Sequence, residues 1–158
     1  MIPNDTRWNS TFDSFRFLKN LIDRDSKMKQ SLNSLCDFFK IPKLTAQDFT
    51  FCTQFVTVMT PIAHGLDVLQ GDKGKDVSAG YLLPTIVLIR DTLRGFRNTE
   101  ETNVSLPLVY ALLAGIEKRF HDFFNLEELQ LASVTNPKFK LNWLMDSDED
   151  DLKLKKYI

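Results

Sequence analysis

The stretch from Phe49 to Gly71 constrains the fold most, because its apolar residues repeat at alternating spacings of three and four. On a helix this spacing forms one apolar stripe, which is too wide to remain in water, so other helices are expected to cover it. Ahead of the stretch, Thr45 and Asp48 form an approximate capping box, and Gly71 is a normal C-terminal stop. Pro61 has no N–H group, and we expect a kink there. The predicted stripe comprises Cys52, Phe55, Val56, Met59, Ile62 or Ala63, Leu66 and Leu69.

Other parts of the chain carry matching stripes, and no alternating strand pattern of useful length occurs. The sequence therefore predicts an all-α fold, an irregular array of about six helices, with residues 1–9 irregular or extended because Ile2 precedes a proline. The predicted inward residues are Phe15, Leu18 and Ile22; Met28, Leu32, Leu35 and Phe39; Leu82, Ile86, Ile89, Leu93 and Phe96; and Val109, Leu112, Leu113, Ile116, Phe120 and Phe123.

Turn-forming and polar residues set the predicted helix ends. Ser10 is a plausible first N-cap, Asp25-Ser26 separates two helices, and Pro42 ends the second. Residues 71–80 read as the clearest loop. Helices follow over about residues 81–96, 106–125 and 126–134, and a turn is expected at Asn136-Pro137.

Length and charge are ordinary for one globular domain. We expect residues 1–145 to form it and residues 146–158 to be an acidic, charged tail. The chain has 20 basic and 21 acidic residues, unlike a strongly basic nucleic-acid module, so any nucleic-acid contact must be local. No secretory leader or bilayer-length apolar run is apparent, which favours an intracellular protein without a membrane partner.

Tests for chemistry are mostly negative. The two cysteines, Cys36 and Cys52, lie at apolar helical positions and are interpreted as buried thiols. His64 and His121 are far apart in sequence and lack the clustered partners of a metal site. No phosphate-binding glycine loop or nucleophile motif is present. The sequence therefore predicts no catalytic residue, metal, cofactor or small-molecule substrate.

Two groups of residues are candidates for contact with nucleic acid. Each of Arg90, Arg94 and Arg97 directly follows a residue of the apolar stripe of its predicted helix, so the three arginines share one edge of that helix. They are suited to bind phosphates, or equally to be a solvated flank that pairs with carboxylates. Arg7-Trp8 places a flat indole beside a cation, which suits stacking on an unpaired base; alternatively, Trp8 is a core residue.

The string DTRWNSTF at Asp5–Phe12 closely resembles the TRWNST(Y/F) motif of the hAT superfamily of cut-and-paste DNA transposases and their domesticated relatives, including BED-zinc-finger proteins. Later segments are similar to family segments in the same order, and together they cover nearly the whole chain. These segments are LDVLQGD at Leu66–Asp72 with GYLLPTI at Gly80–Ile86, GIEKRF at Gly115–Phe120, and LASVTNPKFKLNWL at Leu131–Leu144.

The resemblance implies the end of the first catalytic half of a ribonuclease-H-like transposase, followed by much of its helical insertion domain. In the family, two catalytic aspartates precede the Arg-Trp motif and a catalytic glutamate follows far downstream. No position of this sequence therefore corresponds to a catalytic residue of the family, and Asp5 is not one of the two aspartates. Two-metal phosphoryl transfer needs such carboxylates, and we expect no independent catalysis. Arg7 and Trp8 are the two positions that match the family motif. The resemblance implies that Trp8 lies near the active site and assists handling of the DNA at the transposon end; alternatively, Trp8 packs the catalytic half against the insertion helices.

The expected function is that of a nuclear, DNA-associated scaffold derived from a hAT transposase. Three interpretations stay open: a truncated product with residual DNA contact, a domesticated protein-interaction module without a DNA role, and a piece of a working transposase. Expected partners are DNA at a transposon end, other proteins, or a second copy of the chain.

Overall fold

The computed structural model describes residues 8–25, 27–71 and 78–144, leaving out the side chains of Trp8 and Asn9. About 86% of these residues are helical, with six α-helices and no strand among them, which confirms the predicted all-α class. The helices are α1 (Trp8–Arg24), α2 (Met28–Phe39), α3 (Ala46–Gln70), α4 (Leu82–Gly95), α5 (Leu106–Phe120) and α6 (Glu127–Thr135), and the 3₁₀ turns are Ala79–Tyr81, Phe96–Asn98, Glu100–Ser105, His121–Asn125 and Asn142–Leu144.

Both predicted ends of the longest helix are confirmed. The Asp48 carboxylate accepts hydrogen bonds from the Thr45 backbone N–H and hydroxyl, each at 2.7 Å, while the Asp48 N–H donates to Thr45 Oγ1 at 3.2 Å. Gly71 follows α3 with a φ of 76°, the left-handed conformation that favours glycine. α3 continues through Pro61, and the expected kink stays a prediction.

The first helix begins earlier than predicted. Trp8 and Asn9 are helical rather than extended, and the Ser10 carbonyl accepts a hydrogen bond from the Ser14 hydroxyl at 2.8 Å. Ser10 is therefore a helix residue rather than a cap, because neither Trp8 nor Asn9 is a proline or glycine that would keep the helix from starting before it. The remainder of the predicted extended segment, residues 1–7, lies outside the described residues, as does the acidic tail.

α5 ends earlier than predicted, at Phe120, and residues 121–125 form a 3₁₀ turn. Three residues per turn bring side chains at i and i+3 over one another. Accordingly, the Phe120 and Phe123 rings meet edge to face, with centroids 5.6 Å apart, and Phe123 is exposed. The prediction that Phe123 points inward was wrong because the helical period changes at residue 121.

The chain divides into two compact units. The first unit comprises residues 1–63 and 96–109, and the second comprises residues 64–95 and 110–158. One division falls within α3, two residues after Pro61, so this helix contributes to both units. Each unit buries apolar side chains of its own.

In the first unit, α3 is buried on more than its predicted stripe. Cys52 and Val56 lie on the stripe and are buried, whereas Val58 lies off it and is fully buried. Gln54 is only 5% exposed, and its amide bridges to the 3₁₀ turn Glu100–Ser105. Nε2 donates to Asn103 Oδ1 at 2.9 Å, and Oε1 accepts from the Ser105 backbone N–H at 3.0 Å. This side-chain clamp fixes the turn to the helix.

In the second unit, Leu83 and Val87 of α4 form a buried cluster with Trp143 and Leu144. Three partly buried side chains pack against this cluster: Phe124, Leu129 and Phe139. The predicted stripe of α4 ran through Ile86 and Leu93, which are also buried. α4 therefore buries a second face, which its sequence period did not indicate.

Candidate nucleic-acid interface

Arg90 lies on the second buried face of α4. It follows Leu83 and Val87 at steps of four and three, so it continues the row of side chains that packs against Trp143 and Leu144. Its guanidinium carbon lies 5.7 Å from the centroid of the Phe124 ring, within the range of a cation–π contact. Arg90 therefore covers one end of the apolar cluster.

The Arg90 guanidinium is buried without matching acceptors. The side chain is 14% exposed, and Nε and Nη2 have no hydrogen-bond partner among the described residues. The carboxylate oxygen of Asp91 lies 3.7 Å from Nε, which is beyond hydrogen-bond distance. Each buried N–H without an acceptor costs about 1–3 kcal/mol.

The three arginines do not share one helix. Arg94 lies in the last turn of α4, and its Nη1 is 3.6 Å from the same Asp91 oxygen. Arg97 falls in the 3₁₀ turn after α4 and belongs to the first unit. The helix ends at Gly95, one residue earlier than predicted, so the shared edge consists of Arg90 and Arg94 alone. Their predicted binding of nucleic acid stays a prediction.

The Arg-Trp pair is described only in part. Arg7 lies outside the described residues, and the backbone of Trp8 begins α1. Consequently, neither the stacking role nor the packing role of the Trp8 indole is tested by the structure.

The histidines and cysteines considered in the sequence analysis lie at separate places in the structure. Both histidines are exposed, and His121 Nδ1 lies 3.1 Å from Glu117 Oε1. Cys36 and Cys52 are free and buried, as predicted. Burial raises the pKa of the Cys52 thiol; Lys19 opposes this shift and Asp23 adds to it. Within the described ranges, no group of three or more metal-ligating residues comes together.

A cleft of about 360 Å³ lies in the first unit. Three threonine hydroxyls that line it donate hydrogen bonds within the helix. Those of Thr50, Thr53 and Thr57 each donate to the carbonyl four residues earlier in α3. The Lys29 ammonium, which also lines the cleft, lies 5.4 Å from the centroid of the Phe49 ring. The lining residues are Lys29, Phe49, Thr50, Thr53, Gln54, Thr57 and Glu101.

The surface feature that sequence reasoning missed lies at the end of α2. Leu35, Phe38, Phe39 and Ile41, here called the α2 apolar end, are between 53% and 78% exposed. Leu35 and Phe39 were predicted to point inward, and that prediction was wrong. Cys36 is the buried residue at this end of the helix instead. Adjacent residues of a helix point in different directions, so one narrow apolar stripe could not bury both Phe38 and Phe39, and this pair was the signal available in the sequence.

A scan against protein-family models, a search of curated proteins and a search of solved structures each returned no match to this chain. Among the described residues, no helix has both the length and the apolar character needed to cross a bilayer.

Proposed function

We propose that this chain is a fragment of a hAT-transposase-derived protein that acts in the nucleus as a DNA-associated scaffold without catalysis of its own. The observation that carries the proposal is the order of the resembling segments along the sequence. Two of them, Gly80–Ile86 and Leu131–Leu144, pack together in the second unit through Leu83 with Trp143 and Tyr81 with Phe139. Residues that form a core are where a family likeness is expected to persist.

Arg90 supplies the clearest candidate contact with a phosphate. A guanidinium offers donors in a planar fork, which matches the oxygens of a phosphate. Two of its donors have no acceptor among the described residues, and because they are buried they would reach a phosphate only after the side chain turned outward. Arg94, four positions later on the same helix, adds a second cation. The stacking of Trp8 on an unpaired base is a separate part of the proposal and is tested by its own variant.

The test is binding of the chain to single-stranded and hairpin DNA across a salt series. We expect affinity to fall as salt rises, because phosphate contacts release counterions. Trp8→Ala is expected to weaken binding by about 1–3 kcal/mol, the contribution of one stacked base. Arg90→Met is expected to weaken binding and to reduce the salt slope by about one. The control is Arg119→Ala, which changes an exposed arginine of α5 in the same unit. This variant should leave DNA affinity unchanged.

Absence of binding at low salt would contradict the proposal. Equal losses for Arg90→Met and Arg119→Ala would instead remove Arg90 as a specific contact. Methionine is chosen because its flexible thioether can keep the packing against Phe124, and thermal melting of each variant shows that a loss of binding is not a loss of fold.

A second candidate function is a domesticated protein-interaction module with no DNA role. The α2 apolar end favours it, since contiguous apolar patches on a soluble domain usually mark interaction sites. Under this alternative, none of the DNA probes would bind.

A further inference from the structure

The α2 apolar end is a compact and ordered surface. Phe38 is 78% exposed, and its ring meets the Phe39 ring edge to face with centroids 5.1 Å apart. Leu35 lies three and four positions earlier, so it shares the same side of the helix. Ile41 follows directly after the helix ends. Exposure of four large apolar side chains within seven residues has an unfavourable hydration free energy, which a partner would relieve.

The backbone around this surface is held firmly. Lys40 adopts a left-handed conformation with φ 53°, its N–H donates to the Asp37 carbonyl at 3.2 Å, and the Ile41 N–H donates to the Cys36 carbonyl at 3.0 Å. Farther along, the Asn33 side chain exchanges two hydrogen bonds with the backbone of Leu44, at 2.8 and 3.0 Å. Because the backbone is held in this way, the surface loses little backbone entropy when a partner binds.

The charges at the α2 apolar end indicate which partner fits. Asp37 is paired with Lys43 at 2.9 Å. Lys40 stands between Phe39 and Ile41, and no carboxylate of the described residues lies within ion-pair distance of it. Among the described residues, the surface is therefore apolar and includes one positive charge, Lys40, that no carboxylate compensates. A carboxylate on the partner would complement that charge.

Two other occupants fit these charges less well. A second copy docked through the same patch around a two-fold axis would bring its own Lys40 toward this one, and like charges oppose such pairing. Attraction to an anionic membrane contributes about 1 kcal/mol of binding free energy for each basic residue near its surface. A single uncompensated lysine would therefore give only weak membrane binding.

We propose that the α2 apolar end binds an amphipathic helix of another protein, with the apolar stripe of that helix against Phe38 and Phe39 and an acidic residue at its edge facing Lys40. The inference rests on the protein-interaction role of the second candidate function, and it holds whether or not the chain also binds DNA.

The test uses three synthetic helical peptides and the full chain. The first peptide has leucines at i, i+3, i+4 and i+7 with glutamates beside them, the second has lysines in place of the glutamates, and the third has serines in place of the leucines. Fluorescence anisotropy of labelled peptides measures binding. We expect the acidic apolar peptide to bind at least about tenfold more tightly than either of the others, a difference of roughly 1.4 kcal/mol.

Variants of the chain locate the site. Phe38→Gln is expected to weaken binding of the acidic peptide at least about tenfold, whereas Leu88→Gln, at an exposed leucine of α4 in the other unit, leaves it unchanged. Lys40→Glu is expected to reverse the preference toward the lysine peptide. Thermal melting shows whether each variant is folded, and the Lys40→Glu reversal is a gain of binding that a misfolded variant would not produce.

Four outcomes would overturn the inference. They are equal binding of the acidic and basic peptides, equal effects of Phe38→Gln and Leu88→Gln, concentration-dependent self-association that Phe38→Gln removes, and Phe38-dependent binding to vesicles containing phosphatidylserine. DNA binding measured on Phe38→Gln separates this inference from the DNA proposal, because the variant should leave DNA affinity unchanged.

Discussion

Gly80 is the residue whose lack of a side chain matters most to the second unit. It lies in the 3₁₀ turn Ala79–Tyr81 and is buried against α6. A Cβ atom built on Gly80 would overlap the backbone carbonyl oxygen of Ala132 and would crowd Asn136. The Ala132 carbonyl belongs to a helix and cannot move by a side-chain rotation. Glycine is therefore required here for space.

Gly80→Ala is expected to destabilise the protein by about 1–3 kcal/mol, the usual cost of overpacking. The measurement is urea unfolding monitored by helical circular dichroism. Gly115→Ala is the matched control, since a Cβ on that α5 residue meets no atom within 4 Å. It should stabilise the protein by roughly 0.5–1 kcal/mol, because alanine loses less backbone entropy in a helix. A neutral Gly80→Ala variant would show that α6 can shift to accommodate the methyl group.

At the scale of the element, the N-terminus of α3 is held by an ionised carboxylate. The pKa of Asp48 is lowered because the Thr45 backbone N–H, and then the Thr45 hydroxyl, donate hydrogen bonds to the charged form. A pKa that is lower in the folded state means that the charged carboxylate favours folding. This contribution is fully present above the unfolded value, near pH 4, and is lost as the pH falls through the folded value.

The stability difference between the wild-type protein and Asp48→Asn is therefore expected to be constant near neutral pH and to shrink below about pH 4. Urea midpoints at a series of pH values measure it. Asp67→Asn changes an exposed carboxylate elsewhere on α3 and shows the effect of losing one charge without a cap. A difference for Asp48→Asn that grew on acidification would contradict the assigned role.

At the scale of the whole molecule, the division into two units predicts that each unit can unfold locally without the other. Leu83 is fully buried in the second unit beside Trp143, and Val58 is fully buried in the first unit. Local unfolding follows cooperative units of this kind, and hydrogen exchange reports it.

Leu83→Ala is expected to cost about 2–5 kcal/mol and to speed amide exchange mainly in α4 and α6. Val58→Ala is the reciprocal variant, and it should speed exchange mainly in α1 and the first half of α3. Hydrogen exchange read by mass spectrometry on both variants makes the comparison. If each variant accelerated exchange equally throughout the chain, the two units would unfold as one.

Much of the helical architecture was predictable from local pattern. Apolar spacing predicted the helices, and the pairing of Thr45 with Asp48 and the glycine at position 71 predicted both ends of α3. Helix ends without such signals were less accurate, as at Trp8 and Phe120. Of the candidate nucleic-acid residues, sequence spacing correctly put Arg90 and Arg94 on one helix but not Arg97.

The sequence by itself determined the class of fold, because period, caps and turn residues act over a few neighbouring positions. Tertiary structure decided which helix faces are buried in addition to the predicted apolar stripes. Gln54 is buried because its partners Asn103 and Ser105 arrive from about fifty positions away. Arg90 is buried because Phe124 covers it, while Phe38 stays exposed because no described helix does. Contacts between distant segments depend on how helices pack, and a local repeat does not contain that information.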